Sequence, residues 1–130
     1  MGENNNSSIL IGVVGPCASG KTTLIANLLK NGWKAKHIAQ EHSYVLDMWK
    51  RVAQPDVLIY LDVTYPVSLV RRHMDWSEHE YEQQLRRLRH ARQYADLVVQ
   101  TDQFSPDEVY QEVVAFLEKY LKKSLVEKRT

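Results

Sequence analysis

Gly15-Pro16-Cys17-Ala18-Ser19-Gly20-Lys21-Thr22 sets two glycines, a lysine and a hydroxyl residue at the spacing G-x-x-x-x-G-K-[ST]. Glycines at those positions let successive backbone N–H groups turn inward around phosphate oxygens, and a helix starting there adds the positive end of its dipole. In a loop of this kind Lys21 reaches the β- and γ-phosphates, Thr22 ligates Mg²⁺ through its hydroxyl, and Thr23 touches the α-phosphate. The chemistry expected of Gly15 to Thr23 is therefore the holding of a nucleoside triphosphate, ATP with Mg²⁺. The bland alternative is a glycine-rich turn with no ligand. It leaves unexplained the elements on either side of the loop.

Those elements are a buried strand and an amphipathic helix. Ile9-Leu10-Ile11-Gly12-Val13-Val14 is an unbroken apolar, β-branched run, as in a strand covered on both faces of a parallel sheet. From Lys21 to Lys30, Leu24, Ile25, Leu28 and Leu29 make one apolar stripe, and Asn31-Gly32 stops the helix. A weaker strand is expected from Ala35 to Gln40, then a short helix over Ser43–Val52, where Val45, Met48, Trp49 and Val52 recur at helical spacing and Ser43 reads as the N-cap. Val57-Leu58-Ile59-Tyr60-Leu61-Asp62 is a second clear strand, and Pro66 opens a helix to about His73. Ser77 and Glu80 form a capping box for a helix that buries Tyr81, Leu85, Leu88 and Ala95. Leu97-Val98-Val99 is a last short strand. Ser105-Pro106 starts the final helix, whose core face is Val109, Val113, Phe116, Leu117 and Tyr120. Strands alternating with helices predict an α/β domain over 9–123, with a mostly parallel sheet of about four strands and helices on both faces. Met1 to Ser8 reads as a disordered lead and 124–130 as a fraying tail.

Composition narrows the field. The 130 residues suit one domain, and 17 Lys and Arg against 16 Asp and Glu leave a net charge of +1, which argues against nucleic acid as the partner. A single cysteine makes no internal bridge, so a reducing cytoplasm is expected. The run from Ile9 to Gly15 is far shorter than a membrane span. His37, His42, His73, His79 and His90 show no metal-ligand spacing with cysteine or carboxylates, which argues against zinc.

The chain resembles the small P-loop kinases of the thymidylate kinase and adenylate kinase type. The resemblance rests on the phosphate loop and on Pro55-Asp56-Val57-Leu58-Ile59-Tyr60-Leu61-Asp62-Val63, and it extends with weaker matches over nearly the whole ordered chain. It implies the P-loop NTPase fold. It also implies that Arg71, nine residues beyond Asp62, packs against the nucleotide base, and that Thr101-Asp102 after the last strand borders that base. Between Gln40 and Asp56 the chain lacks the acceptor-binding insert and the further strand of those kinases. With one strand gone, the strand ending at Gln40 should lie beside the P-loop strand and set Glu41 where the family carries the acid that contacts the Mg²⁺ shell or the acceptor hydroxyl. A hydrophobic run closed by an acid points instead to Asp62. Both Glu41 and Asp62 stand as candidates for orienting metal or water.

Arg71, Arg72, Arg86, Arg87, Arg89 and Arg92 fall in the resembled lid region, where arginines neutralise transferring phosphate, although exposed arginines are commonly a solvated face. The function expected is an ATP- and Mg²⁺-binding ATPase or phosphotransferase with an unidentified acceptor. The rival is a nucleotide-dependent binding module read by a partner protein. A sheet this small leaves apolar surface to cover, which is compatible with a homodimer.

Overall fold

The computed structural model of the chain describes residues 9–72 and 75–129. The expected lead at 1–8 and the expected helix end at His73 lie outside the described residues. Four parallel strands, β1 (Leu10–Val14), β2 (Lys34–His37), β3 (Val57–Asp62) and β4 (Leu97–Gln100), form one sheet in the order β2-β1-β3-β4. β1 is central, with Val13 opposite His37 on one side and Val14 opposite Tyr60 on the other. β3 continues the sheet by pairing Ile59 with Leu97 and Asp62 with Gln100.

Side chains alternate across a strand, and both faces of this sheet are covered. Ile11, Val13, Ile59 and Leu61 enter a core with Leu24 and Leu28 of α1 (Lys21–Lys30) and with Val113 and Leu117 of α4 (Pro106–Arg129). Val14, Leu58 and Tyr60 face the opposite way, against Leu88 and Ala91 of α3 (Glu78–Tyr94) and Trp49. Burial of a side chain such as Leu28 or Leu117 is worth about 2–3 kcal/mol. The edge strand β2 is short and carries Lys34, Lys36 and His37 exposed, a composition that discourages pairing with another chain.

Capping follows the sequence pattern at α3, where Ser77 Oγ accepts from the Glu80 N–H and the Glu80 side chain accepts from the Ser77 N–H. Ser105 and Glu108 make the same reciprocal pair at α4. A further helix, α2, spans Tyr65–Arg72.

Two expectations are corrected. The stretch expected to be helical over Ser43–Val52 holds no α-helix; a 3-10 turn at Gln40–His42 precedes it and a π-helical turn at Trp49–Ala53 closes it. Ser43 accordingly caps no helix, and its Oγ accepts from the Val45 N–H at 3.1 Å. The helix α4 extends to Arg129, and 124–129 contain neither Gly nor Pro.

Candidate functional site

The loop between β1 and α1 is shaped by two glycines with positive φ. Gly15 has φ 155°, and a Cβ there would come within 2.2 Å of the Leu61 carbonyl oxygen of β3. Only glycine fits that approach. Gly20, φ 100°, is the residue from which α1 starts, and its side is open. Ala18 between them also adopts a left-handed φ of 69°, a conformation uncommon outside glycine and tolerated where a loop is held by its surroundings.

Lys21 does not extend into solvent. Only 7% exposed, it folds back so that Nζ donates to the Gly15 carbonyl at 2.6 Å and the Pro16 carbonyl at 3.0 Å, and it lies 3.2 Å from Glu41 Oε2. β2 lies directly beside β1, and this neighbourhood carries Glu41, in the 3-10 turn after β2, to the loop. Glu41 is 3% exposed, with His37 Nε2 and His42 Nε2 at 3.9 and 3.8 Å from the same oxygen. Burial lowers the His37 pKa, and the Lys21 charge lowers it further against the pull of Glu41, which favours the neutral imidazole. Two buried oxygens at the loop, Ser19 Oγ and Glu41 Oε1, have no hydrogen-bond partner among the described residues. Buried acceptors and hydroxyls are seldom left so, and both mark places for a polar or charged group.

Two cavities flank the loop and share Ala18, Gly20 and Thr23 on their rims. One, about 350 Å³, is lined by Cys17, Lys21, Thr22, His37, Glu41 and His42. The other, about 330 Å³, is lined by Arg71, Thr101, Phe104, Pro106, Leu24 and Val109 besides the shared loop residues. In this second cavity Arg71 Nη1 donates to Ala18 O at 3.2 Å and to Thr101 Oγ1 at 2.9 Å, and Nη2 donates to Thr101 O. Arg71 thus ties the loop to the segment after β4, with its guanidinium on the cavity wall.

Other candidates are engaged elsewhere. Asp62 Oδ1 accepts from the Val63 N–H at 3.0 Å and Oδ2 lies 3.6 Å from Arg92 Nη2, while the Asp62 carbonyl accepts from Thr101 Oγ1. Asp102 takes both Thr64 N–H and Thr64 Oγ1–H, at 3.0 and 2.7 Å, which leaves Thr101 but not the Asp102 carboxylate at the cavity. Arg87 stacks over the Tyr44 ring at 4.6 Å and donates to the Glu41 carbonyl at 3.3 Å. Arg86 and Arg89 line a separate shallow groove with Tyr44.

Two glutamines that no motif marks organise the site. Gln40, fully buried, donates to the Val45 and Arg87 carbonyls at 2.9 and 3.0 Å and accepts from the Trp49 N–H at 2.9 Å, fixing the turn that bears Glu41 against α3. Gln84 of α3 accepts from the Cys17 N–H at 2.9 Å and donates to Cys17 Sγ at 3.1 Å. The one sequence signal for Gln84 is its register: it shares the helical stripe of Leu88 and Ala91, so a polar residue there must find a partner in the core.

No protein-family model matches the chain, and no curated protein matches it either.

Proposed function

We propose that the chain is a P-loop NTPase that binds Mg²⁺ATP at Gly15–Thr23 and hydrolyses it or passes the γ-phosphate to an acceptor, in the manner of the nucleoside monophosphate kinases it resembles. The observation that carries this reading is the Lys21–Glu41 pair at 3.2 Å, buried beneath a loop with the G-x-x-x-x-G-K-[ST] spacing. A buried lysine bonded to carbonyls and a carboxylate is poised to exchange those partners for phosphate oxygens.

The residues fit the ligand. Backbone N–H groups of the loop, the start of α1 and Lys21 suit the phosphates, and the cavity beside Arg71, Phe104 and Val109 suits a base. Thr22 and Glu41 would hold Mg²⁺, which would supply charge neutralisation to the bound triphosphate. On this reading Lys21 moves its ammonium from Gly15 O onto the γ-phosphate and stabilises the charge that spreads there during transfer. Glu41 would then hold the attacking hydroxyl by accepting its proton in a hydrogen bond. Arg71 holds the base against the cavity wall, with Thr101 fixing the guanidinium.

The contact between Gln84 and Cys17 favours a second reading, a nucleotide-dependent binding module. Gln84 Oε1 occupies a loop N–H that a phosphate oxygen would take, so ligand arrival would shift α3 and its arginines for a partner protein to read. Calorimetric titration with Mg²⁺ATP, followed by ADP release alone and with a panel of nucleosides, nucleotides and sugars, separates these readings. Acceptor-dependent release supports the phosphotransferase, binding without turnover supports the module, and absence of binding by the folded protein removes both.

A further inference from the structure

Cys17 of the loop and Glu41 and His42 of the 3-10 turn are far apart in the chain, yet one ligand atom of each lies within 4.8 Å of the others. We propose that these three side chains form a binding site for a borderline-soft divalent transition-metal ion, Zn²⁺. A thiolate sulfur, an imidazole nitrogen and a carboxylate oxygen are together a donor set that suits zinc, whereas Mg²⁺ takes oxygen ligands and keeps much of its water.

Geometry supports the assignment. Ligands bound at about 2.0–2.3 Å on tetrahedral corners sit about 3–4 Å apart, so the cluster needs only a small inward movement. His42, 61% exposed, is free to make it by side-chain rotation. A further observation is the buried acid itself: Glu41 is 3% exposed and its Oε1 has no hydrogen-bond partner among the described residues, a defect that a cation repairs. The second layer is in place as well. Gln84 Nε2 donates to Cys17 Sγ at 3.1 Å and steadies the sulfur, as outer partners of metal ligands do. The fourth corner falls to water, or to His37, whose Nε2 is 3.9 Å from Glu41 Oε2. As the Zn–S bond forms, the thiol proton passes to solvent, and the site becomes a zinc thiolate with no change in oxidation state. The ion shares its cavity with Lys21, Thr22 and Thr23, so its occupancy bears directly on entry to the loop.

The test needs no nucleotide, so its outcome is separate from that of the ATP reading. The full-length chain, reduced and stripped of metal, is titrated with Co²⁺ as the probe. A thiolate-to-Co²⁺ charge-transfer band that saturates at one ion per chain and is bleached by Zn²⁺ is expected. Cys17→Ser should lose the band, His42→Ala should bind Zn²⁺ about tenfold or more weakly, and His79→Ala should match the wild type. Because Cys17 is the chain's single cysteine, iodoacetamide gives a second readout: Zn²⁺ should slow its alkylation in the wild type and in His79→Ala, and much less in His42→Ala. Co²⁺ binding without the band, or an alkylation rate indifferent to Zn²⁺ in protein shown folded by circular dichroism, overturns the proposal. Should Cys17→Ser fail to fold, the alkylation series on the wild type and His42→Ala decides alone.

Discussion

Two acids stand at the carboxyl ends of the strands that flank β1, one on each side, and their surroundings have little in common. Glu41, after β2, is buried to 3% exposure, faces Lys21 at 3.2 Å and keeps one oxygen without a hydrogen-bond partner among the described residues. Asp62, at the end of β3, is 23% exposed, accepts from its neighbour's N–H and lies near Arg92 at 3.6 Å. Its backbone carbonyl takes the Thr101 hydroxyl and N–H at 2.8 and 2.9 Å, which ties β3 to the segment after β4. Glu41 is thus placed against the loop lysine with spare valence. Asp62 already has structural work. Equal position relative to β1 does not make the two acids equivalent; burial and partnership separate them.

The largest effect should come from breaking the Glu41 side at its cation. Lys21→Ala should abolish detectable triphosphate binding and also lower unfolding free energy by about 3 kcal/mol, because removing one partner of a buried ion pair strands the other charge. Lys21→Ala/Glu41→Ala should recover part of that loss in urea denaturation, and an additive result would show the pair to be uncoupled.

The comparison itself is tested by exchanging each acid for its amide. Glu41→Gln should lower ADP release at saturating Mg²⁺ATP about a hundredfold, whereas Asp62→Asn should stay within about threefold. The opposite ranking would move the metal- or water-orienting role across the sheet to β3.

A smaller change is expected where α3 meets the loop. Gln84→Ala removes the side chain that competes for the Cys17 N–H, so triphosphate affinity should rise, by up to about tenfold given the net worth of one or two hydrogen bonds. Unaltered or weaker binding by calorimetry would mean that the Cys17 N–H does not face phosphate.

The smallest effect belongs to the Asp62 side. Burial works against the charge of Asp102, but the hydrogen bonds from Thr64 and Gln100 outweigh it and hold its pKa below the usual 3.8. A carboxyl depressed in the folded state adds stability above its unfolded pKa and loses it as pH falls through the folded value. Asp102→Asn should therefore lie slightly below the wild type in thermal stability at neutral pH and converge with it as the pH falls below the folded-state value. Parallel curves down to that pH would show that the Thr64 contact is not maintained in solution.

Local pattern made much of the frame legible. β1 and β3 are apolar runs too continuous for anything but strands buried on both faces, and Ser77-x-x-Glu80 marks its helix start through bonds that span three residues. The segment after Glu41 was not legible. Val45, Met48, Trp49 and Val52 recur at helical spacing, yet Gln40 takes the Trp49 N–H and shares the Val45 carbonyl with the Met48 N–H, replacing the Trp49-to-Val45 bond that an α-helix would make. Asp102 likewise sits in the stretch resembling a base-bordering loop, and its carboxylate serves Thr64 instead.

From the sequence alone came the loop, its two glycines, its lysine and the strand and helix on either side, since all of these are set by neighbours in the chain and by the periods of helix and strand. The tertiary structure decided which acid meets Lys21, that Gln84 covers the Cys17 N–H, and that Cys17, Glu41 and His42 converge. Those contacts join residues separated by whole elements. They depend on β2 lying beside β1 and on α3 packing against the sheet so that Gln84 reaches the loop, and hydrophobic periodicity is the same whichever order the strands take.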